Sequence, residues 1–272
     1  MSVFKKMGTD CEFFVSHRGE IGSAIGLIGG SKNAPLLVEN GNLQEDNVLA
    51  EMATDPCATL DEWLTKISSV RVQLGEKLEG YELVCKSSHH YTKQQLLSYP
   101  ADAMKLGCTA DYNIYSNKNN PTPNAKTVLR TAAGHIHYSY DNPSVSTTIN
   151  IAKCLDATLG LWSVITDNDR HRRLLYGKAG CIRFKEYGGE YRTLGNFWLA
   201  NTARQTYVWK ITKMCVEQHH TLLPMLRAIV SEEAIQAIIN DSDRERALLL
   251  TPAITRIVSR MLSGDEEYER AA

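Results

Sequence analysis

Three stretches of this chain carry ionisable side chains two positions apart inside otherwise apolar runs: Asp10 and Glu12 in GTDCEFF, His135 and His137 in AAGHIHYSY, and Glu190 and Arg192 in GGEYRTL. On a β-strand, residues i and i+2 project from the same face. Each pair therefore shares a face, opposite Cys11 and Phe13, Ile136 and Tyr138, and Tyr191 in turn. Brought together, the three faces would make a pocket of carboxylates, imidazoles and a guanidinium. Each pair also has an ordinary reading. An acidic pair at strand spacing is commonly a solvated face. A His-x-His pair can be structural, or two legs of a zinc site. Glu190 with Arg192 can be a cross-strand ion-pair surface. Recurrence on three strands shifts the balance toward a site. Carboxylate oxygens with one imidazole suit Mg2+ or Mn2+ better than zinc, which prefers nitrogen and sulfur. Such ions, together with arginines, are what a triphosphate needs: the metals bridge phosphate oxygens and the guanidinium neutralises charge on the transferred phosphoryl group.

The elements that must position these pairs follow from pattern. Residues 7–17 and 20–28 read as strands joined at Arg18-Gly19, followed by a loop at Gly29-Gly30-Ser31-Lys32. Residues 36–43 read as a hairpin turning at Asn40-Gly41. Thr59 caps a helix running to about Leu78, with Asp61 and Glu62 in its first turn and an apolar stripe of Ile67, Val70, Leu74 and Leu78. Further strands are expected at 81–86, 130–140, 180–187 and 189–194, the last two turning at Gly188-Gly189. The polar, proline-containing stretch 116–126 reads as a surface loop, and 144–164 as a helix. From Trp198 the chain reads as helical, with breaks near His219-His220, Ser231 and Asp241-Ser242. Strands first and helices last predict an α+β fold with a mainly antiparallel sheet, in a single domain over 1–272. Neither GxGxxG nor GxxxxGK[ST] occurs, so no Rossmann site or P-loop is supported.

Composition bounds the function. The chain has 272 residues, 43% of them hydrophobic, enough for one substantial core. Lys and Arg number 30 against 31 Asp and Glu, a net charge of -1, which excludes the basic footprint of a nucleic-acid binder. The seven cysteines are scattered, odd in number and without a CxxC pair, so reduced thiols in a cytoplasm are expected. The start, MSVFKKMGTDCEFF, lacks the apolar core of a signal peptide, and no run approaches the roughly 18 apolar residues of a membrane span. The reading is a soluble cytoplasmic protein with no membrane or nucleic-acid partner.

The motifs resemble a known superfamily. GTDCEFF at 8–14 resembles the first metal-binding strand of glutamine synthetase, with two acidic residues at i,i+2 and then two aromatics. AAGHIHYSY at 132–140 resembles its Gly…His-x-His strand, also present in glutamate–cysteine ligases, and GCIRFKEYGGEYRTLGNFWL at 180–199 its final catalytic stretch. More closely, the chain resembles the phage carboxylate–amine ligases of type 2, through QEDNVLAEMATDPC at 44–57, GCTADYNIY at 107–115, RTAAGHIHYS at 130–139 and RRLLYGKAGCIRFKEYGGEYRTLGNFWL at 172–199. Each motif is weak alone; their shared order between residues 7 and 200 is the specific signal, with 201–272 completing the domain as helices.

The resemblance implies a curved, mainly antiparallel sheet with helices on its outer face. It implies ATP-dependent amide formation through an acyl-phosphate, with ADP and phosphate released and Mg2+ or Mn2+ required. Asp10, Glu12, Glu51, His135 and Glu190 would be metal ligands, and Arg183 and Arg192 would hold the γ-phosphate and the acyl-phosphate. His137 would lie near nucleotide or substrate, and Arg173 would join the same cationic wall. The resemblance assigns the catalytic work to Glu190, Arg192, Arg183 and His137. Glutamine synthetase has glutamate where this chain has Asp10, and more carboxylates around the strand of Glu51, which here stands with Asp46 and Asn47. Lys32 is a weaker phosphate candidate. Asp111 and Asn113 could meet substrate or end a strand. His89-His90 and His219-His220 read as surface histidines in loops, and Glu266-Glu267-Glu269 as a solvated helix end. The implied partners are a carboxylate and an amine substrate. Relatives often form rings or dimers, and a phage origin would place the protein in a bacterial host cytoplasm. Two competing readings are a phosphotransferase on a related fold and an inert scaffold. A zinc hydrolase on His135 and His137 lacks a third nitrogen ligand.

Overall fold

The fold is organised about one long strand, β1 (Phe4–His17), whose alternating side chains have different fates on its two faces. Met7, Cys11, Phe13 and Val15 are buried in the main core, while Gly8, Asp10 and Glu12 face the other way. The computed structural model describes residues 2–106, 110–124 and 126–271, with side chains described through Ser263. After β1 come β2 (Glu20–Ile21), β3 (Leu36–Val38), β4 (Gly41–Asp46), β5 (Leu49–Thr54), helix α1 (Leu60–Lys77), β6 (Glu82–Val84), β7 (Ser88–His90) and helix α2 (Lys93–Ser98). The middle of the chain forms β8 (Tyr112–Asn113), β9 (Lys118–Asn119), β10 (Leu129–Thr131), β11 (Gly134–Tyr140), helices α3 (Val145–Leu155) and α4 (Leu161–Thr166), β12 (Cys181–Lys185) and β13 (Gly188–Tyr191). Helices α5 (Thr202–Arg227), α6 (Glu232–Asn240) and α7 (Arg244–Ala271) complete it.

The main sheet runs β3-β4-β5-β1-β11-β13-β12-β8-β9, each neighbour antiparallel to the next. β2 and β6 pair with the far end of β1, where Phe14 turns into a second small core with Leu49, Tyr91 and Leu96. One face of the sheet packs on helices. α1 lies over β4 and β5, burying Trp63, Ile67, Val70 and Leu74; α3 covers β12 and β13, and α5 packs on α3. The hydroxyl of Thr59 accepts from the Glu62 amide at 3.2 Å, so the N-cap read from the sequence holds. The mixed architecture, an extended antiparallel sheet with a helical C-terminal region, agrees with the α+β expectation.

Several boundaries differ from expectation, each for a physical reason. The strand expected over 20–28 is only Glu20–Ile21, because the chain leaves β1 after the tight turn in which Arg18 and Gly19 take positive φ. The strand expected over 130–140 is two: β10 pairs with β7 in a separate ribbon, and β11 enters the main sheet. Between them the Ala133 amide donates to the Glu12 carboxylate at 2.7 Å rather than to a ladder. The β12–β13 turn is at Glu186-Tyr187, and Gly188 lies inside β13. A Cβ on Gly188 would stand 2.3 Å from the Tyr138 carbonyl, and φ there is +147°, so glycine serves the strand and not the turn. β5 has no alternation signal because its LAEMAT run is buried nearly throughout. The 116–126 stretch contains β9. The 144–164 helix widens to a π-helical turn at Asp156–Gly160. α5 runs unbroken through His219-His220, where Leu222, Leu223 and Leu226 keep it against the core; the breaks at Ser231 and Asp241-Ser242 are where expected. His219 is accordingly buried in a helix, and His89-His90 form a strand, so neither pair lies in a loop. The tail glutamates 266, 267 and 269, and Gly107, Cys108 and Thr109 of the 107–115 motif, lie outside the described side chains. No helix of the described residues is long and apolar enough to cross a membrane.

Candidate active site

The sheet face turned away from the helices gathers the paired side chains, because antiparallel register sets same-face residues beside one another. Asp10 stands opposite His135 on β11, and Glu12 opposite Glu51 on β5. His137 stands opposite Glu190 on β13, and Glu190 opposite Arg183 on β12. Four strand junctions thus bring Asp10, Glu12, Glu51, His135, His137, Glu190 and Arg183 to one surface.

Two groups of potential ligand atoms result. Asp10, His137 and Glu190 offer atoms within 4.8 Å of one another, as do Glu12, Asp46 and Glu51. In the first group His137 Nε2 lies 3.1 Å from Asp10 Oδ1, and its Nδ1 lies 2.7 Å from the Tyr187 hydroxyl. His135 Nδ1 is 3.3 Å from Asp10 Oδ1 and 3.2 Å from Arg192 Nη1. His137 completes the first group, and His135 stands beside it, its Nδ1 also 3.8 Å from Glu190 Oε1. In the second, Gln44 Nε2 donates to Glu51 Oε2 at 2.6 Å.

The two groups differ in charge compensation. Burial pushes the Glu190 carboxyl up, but Arg192 and His135 more than reverse this and hold it at about 2. Arg192 Nη1 donates to it, Lys185 Nζ stands 2.9 Å away, and Arg183 Nη1 3.2 Å away. Asp10 is likewise held well below the usual carboxylate range: burial raises it, and His135 and His137 outweigh the burial. Glu12 behaves oppositely. Burial and the Asp46 charge push it to about 8, against the pull of the Ala133 amide, Arg172 and Arg192. Burial raises Glu51, and so do the charges of Glu12, Asp10 and Asp46; burial also raises Asp46, despite Lys32 and Arg192. Two buried carboxylates and the half-buried Asp46, repelling one another and offering all-oxygen donors, are the donor set that a hard divalent cation fits.

The arginines sort themselves by partner. Arg192 is buried; its Nε donates to Asp111 Oδ1 at 2.5 Å, so Asp111 holds an arginine in place. Asn113 donates to the Ala179 carbonyl at 3.0 Å and has a structural role. Arg173, expected in the cationic wall, is not in it: its guanidinium donates to Ser163 at 2.7 Å and Ser242 at 3.0 Å. The adjacent Arg172 lines the site instead, because the short 3-10 turn Arg172–Leu174 points the two side chains apart. Sequence reading also passed over Lys185, Tyr187 and Arg130. Lys185 was legible, at i+2 from Arg183 on the same strand. Arg130 was not, since it reaches the site from the separate β7–β10 ribbon.

Two cavities open on this face. A small one of about 40 Å³ is lined by Glu12, Asp46, His135, Arg130, Arg172 and Arg192. A larger one of about 430 Å³ is lined by Met7, Gly8, Asp10, Pro56, His137 and Tyr187, among others.

Residues 129–271, just over half the chain, match the family described as phage phiEco32-like COOH.NH2 ligase-type 2. The chain belongs to that family of carboxylate–amine ligases. A comparison with curated proteins gave no match. Among solved structures, GmaS in an ADP complex is similar at 13% identity and a TM-score of 0.47, over 98% of this chain and 68% of that one. A bifunctional glutathione synthetase from Pasteurella multocida is similar at 11% identity and a TM-score of 0.45, over 95% of this chain and 46% of that one. This chain therefore spans less than half the length of that synthetase.

Proposed function

We propose that this chain is a single catalytic domain of glutamine-synthetase-like fold that uses ATP to join a carboxylate to an amine through an acyl-phosphate. The observation that carries the reading is the pairing of two acidic groups, Asp10–His137–Glu190 and Glu12–Asp46–Glu51, beside Arg183 and Arg192. The cavity sizes support this reading. About 430 Å³ is within the range of small-molecule sites, and its Ala53, Pro56 and Tyr187 walls suit a nucleoside. About 40 Å³ holds roughly three water-sized groups, too few for a nucleotide and enough for a carboxylate.

Mg2+ or Mn2+, held by the two acidic groups, would supply positive charge to the phosphate oxygens. Arg183, which projects half-exposed from β12, meets the γ-phosphate, and Arg192 faces the junction between phosphate and acid. A carboxylate oxygen of the acid attacks the γ-phosphorus, the bond to the β-bridging oxygen breaks, and ADP leaves. The nitrogen of the amine then attacks the acyl carbon, the acyl–oxygen bond breaks, and phosphate leaves with that oxygen. The guanidiniums of Arg183 and Arg192 stabilise charge on the transferred phosphoryl group and on the tetrahedral centre. Asp111 and Glu190 keep the Arg192 fork oriented, so little reorganisation is required at the moment of reaction. The buried walls of the small cavity limit hydrolysis of the intermediate.

Hydroxylamine trapping tests this. With ATP, divalent metal and the correct acid, a hydroxamate forms, and ¹⁸O in the acid's carboxylate appears in released phosphate. A phosphotransferase would give neither the hydroxamate nor the labelled phosphate. Amide formation with AMP and pyrophosphate would replace the acyl-phosphate with an adenylate.

A further inference from the structure

Glu190 is fully buried, yet three permanent cations stand on its two oxygens. Arg192 Nη1 donates to Oε1, and Arg183 Nη1 lies 3.2 Å from Oε1 and 3.3 Å from Oε2. His135 Nδ1 also lies 3.8 Å from Oε1. Lys185 Nζ stands 2.9 Å from Oε2. The crowding is on Oε1, so Oε2 is the oxygen that Glu190 has to offer the Asp10–His137–Glu190 group. Mg2+ sits about 2.1 Å from a carboxylate oxygen. On Oε2 it would stand no more than about 5 Å from Lys185 Nζ in its observed place. Like charges that close repel strongly in a buried site. Lys185 and the ion do not fit on that oxygen together.

Of the three cations, Lys185 is the one built to leave. Arg192 has a side chain only 3% exposed, and its Nε is tied to Asp111 Oδ1 at 2.5 Å. Arg183 spans both oxygens from one nitrogen. Lys185 makes a single-point contact through a flexible four-carbon stem. Its side chain is 28% exposed, and its partner across the ladder is Gly188, which has no side chain to confine that stem. It closes β12 two residues before Tyr187, a wall of the larger cavity. Charge points the same way. Arg183, Lys185 and Arg192 match Asp10, Asp111 and Glu190 in number. A divalent ion brings positive charge in excess, and the ammonium it displaces needs another anion. A polyphosphate answers both demands.

We propose that Lys185 and a divalent ion exchange places on Glu190, and that the displaced ammonium binds the phosphates of the nucleotide, which makes Lys185 a catalytic residue. Competition for Glu190 follows from the observed contacts; the phosphate contact rests on the ligase reading and deepens it. Arg192 stays on Oε1, so Glu190 keeps a counter-charge through the exchange. Metal and nucleotide then favour one another, because the ion releases the lysine that the phosphates take up.

Mn2+ binding to the full chain, followed by the electron paramagnetic resonance signal of the free ion, tests the exchange without nucleotide or turnover. Lys185→Met should bind Mn2+ about tenfold or more tighter than wild type at one site, because the ion no longer displaces an ion pair. Glu190→Gln identifies that site by losing it. Lys185→Arg keeps the charge and stays near the wild-type Mn2+ affinity. With Mn2+ saturating, calorimetry with β,γ-methylene-ATP should show Lys185→Met binding the nucleotide about tenfold or more weaker. The two shifts have opposite signs, which a lysine that only braces the β12–β13 hairpin would not produce. Circular dichroism identifies a variant that has not folded. Lys185→Gln, which can still donate to Glu190, then takes the place of the methionine variant. Unchanged or weaker Mn2+ binding in a folded neutral variant overturns the proposal, and so does unchanged or tighter nucleotide binding. If hydroxamate trapping fails while both shifts stand, the ligase reading falls and the exchange remains.

Discussion

Asp156 offers the sharpest test of how the sheet is held against the helices. Its carboxylate is fully buried in the π-helical turn and accepts from the Tyr191 hydroxyl at 2.6 Å, the Gly180 amide at 2.6 Å and the Thr193 hydroxyl at 3.3 Å. Burial nevertheless wins over these bonds, and the carboxyl is raised from 3.8 to about 6. A carboxyl whose folded pKa lies above its unfolded value holds its proton more tightly when folded. Its contribution to stability is therefore fully present below pH 3.8 and lost as pH rises through about 6. A displacement of roughly two units corresponds to about 3 kcal/mol. Asp156→Asn removes the titration and leaves other groups, including the oppositely displaced Glu190, common to both proteins. The amide loses one acceptor, a cost independent of pH. Urea unfolding of wild type and variant at intervals from pH 4 to 8 should show the variant gaining about 3 kcal/mol relative to wild type as pH rises. A difference that is flat with pH, or of opposite sign, would mean that the hydrogen bonds outweigh burial and that the reasoning fails.

Three other outcomes are expected. ATP binding should require a divalent ion, given the two acidic groups; equal affinity by calorimetry with Mg2+ and with EDTA would refute it. Arg192→Ala should lower stability by about 3–5 kcal/mol, because the buried Asp111 loses its counter-charge and Glu190 keeps only Lys185 and Arg183, and should lower turnover further than nucleotide affinity. Thermal unfolding and steady-state kinetics read the two effects, and Arg192→Lys should recover only part. Gly188→Ala should cost about 1–3 kcal/mol by forcing an alanine to φ +147° against the Tyr138 carbonyl, and should disturb Glu190 two residues on; an unchanged melting temperature would show that β13 can yield there.

The i,i+2 pairs were legible because strand periodicity is exact in sequence and register only has to place whole strands side by side. Glu12 against Glu51 and His137 against Glu190 follow once β1, β5, β11 and β13 are neighbours. Less legible was anything fixed by tertiary approach. Gly188-Gly189 looked like a turn because glycine pairs usually are, yet Tyr138 packs on that strand closely enough to exclude a Cβ. The division of labour between Arg172 and Arg173 depends on a single 3-10 turn, which pattern does not reveal. His219 sits in a helix that its neighbours' polarity disguises, while burial of Leu222, Leu223 and Leu226 decides the matter.

The central place of β1 has a consequence for how the protein comes to be. Its residues pair with partners at 50–53 on one side and 134–140 on the other, and β13 joins only beyond those. Pairings this distant in sequence pay the cost of closing long loops before any contact rewards them, so such folds form slowly. On a ribosome the first segment would meet its near partner early, bringing Glu12 to Glu51, and then wait until residues 134–140 had been made. Until β11 emerges, one edge of β1 is a row of unpaired amides and carbonyls, the form most prone to join another chain. Slowing synthesis between β5 and β11 should therefore increase aggregation of nascent chains more than slowing it after β13.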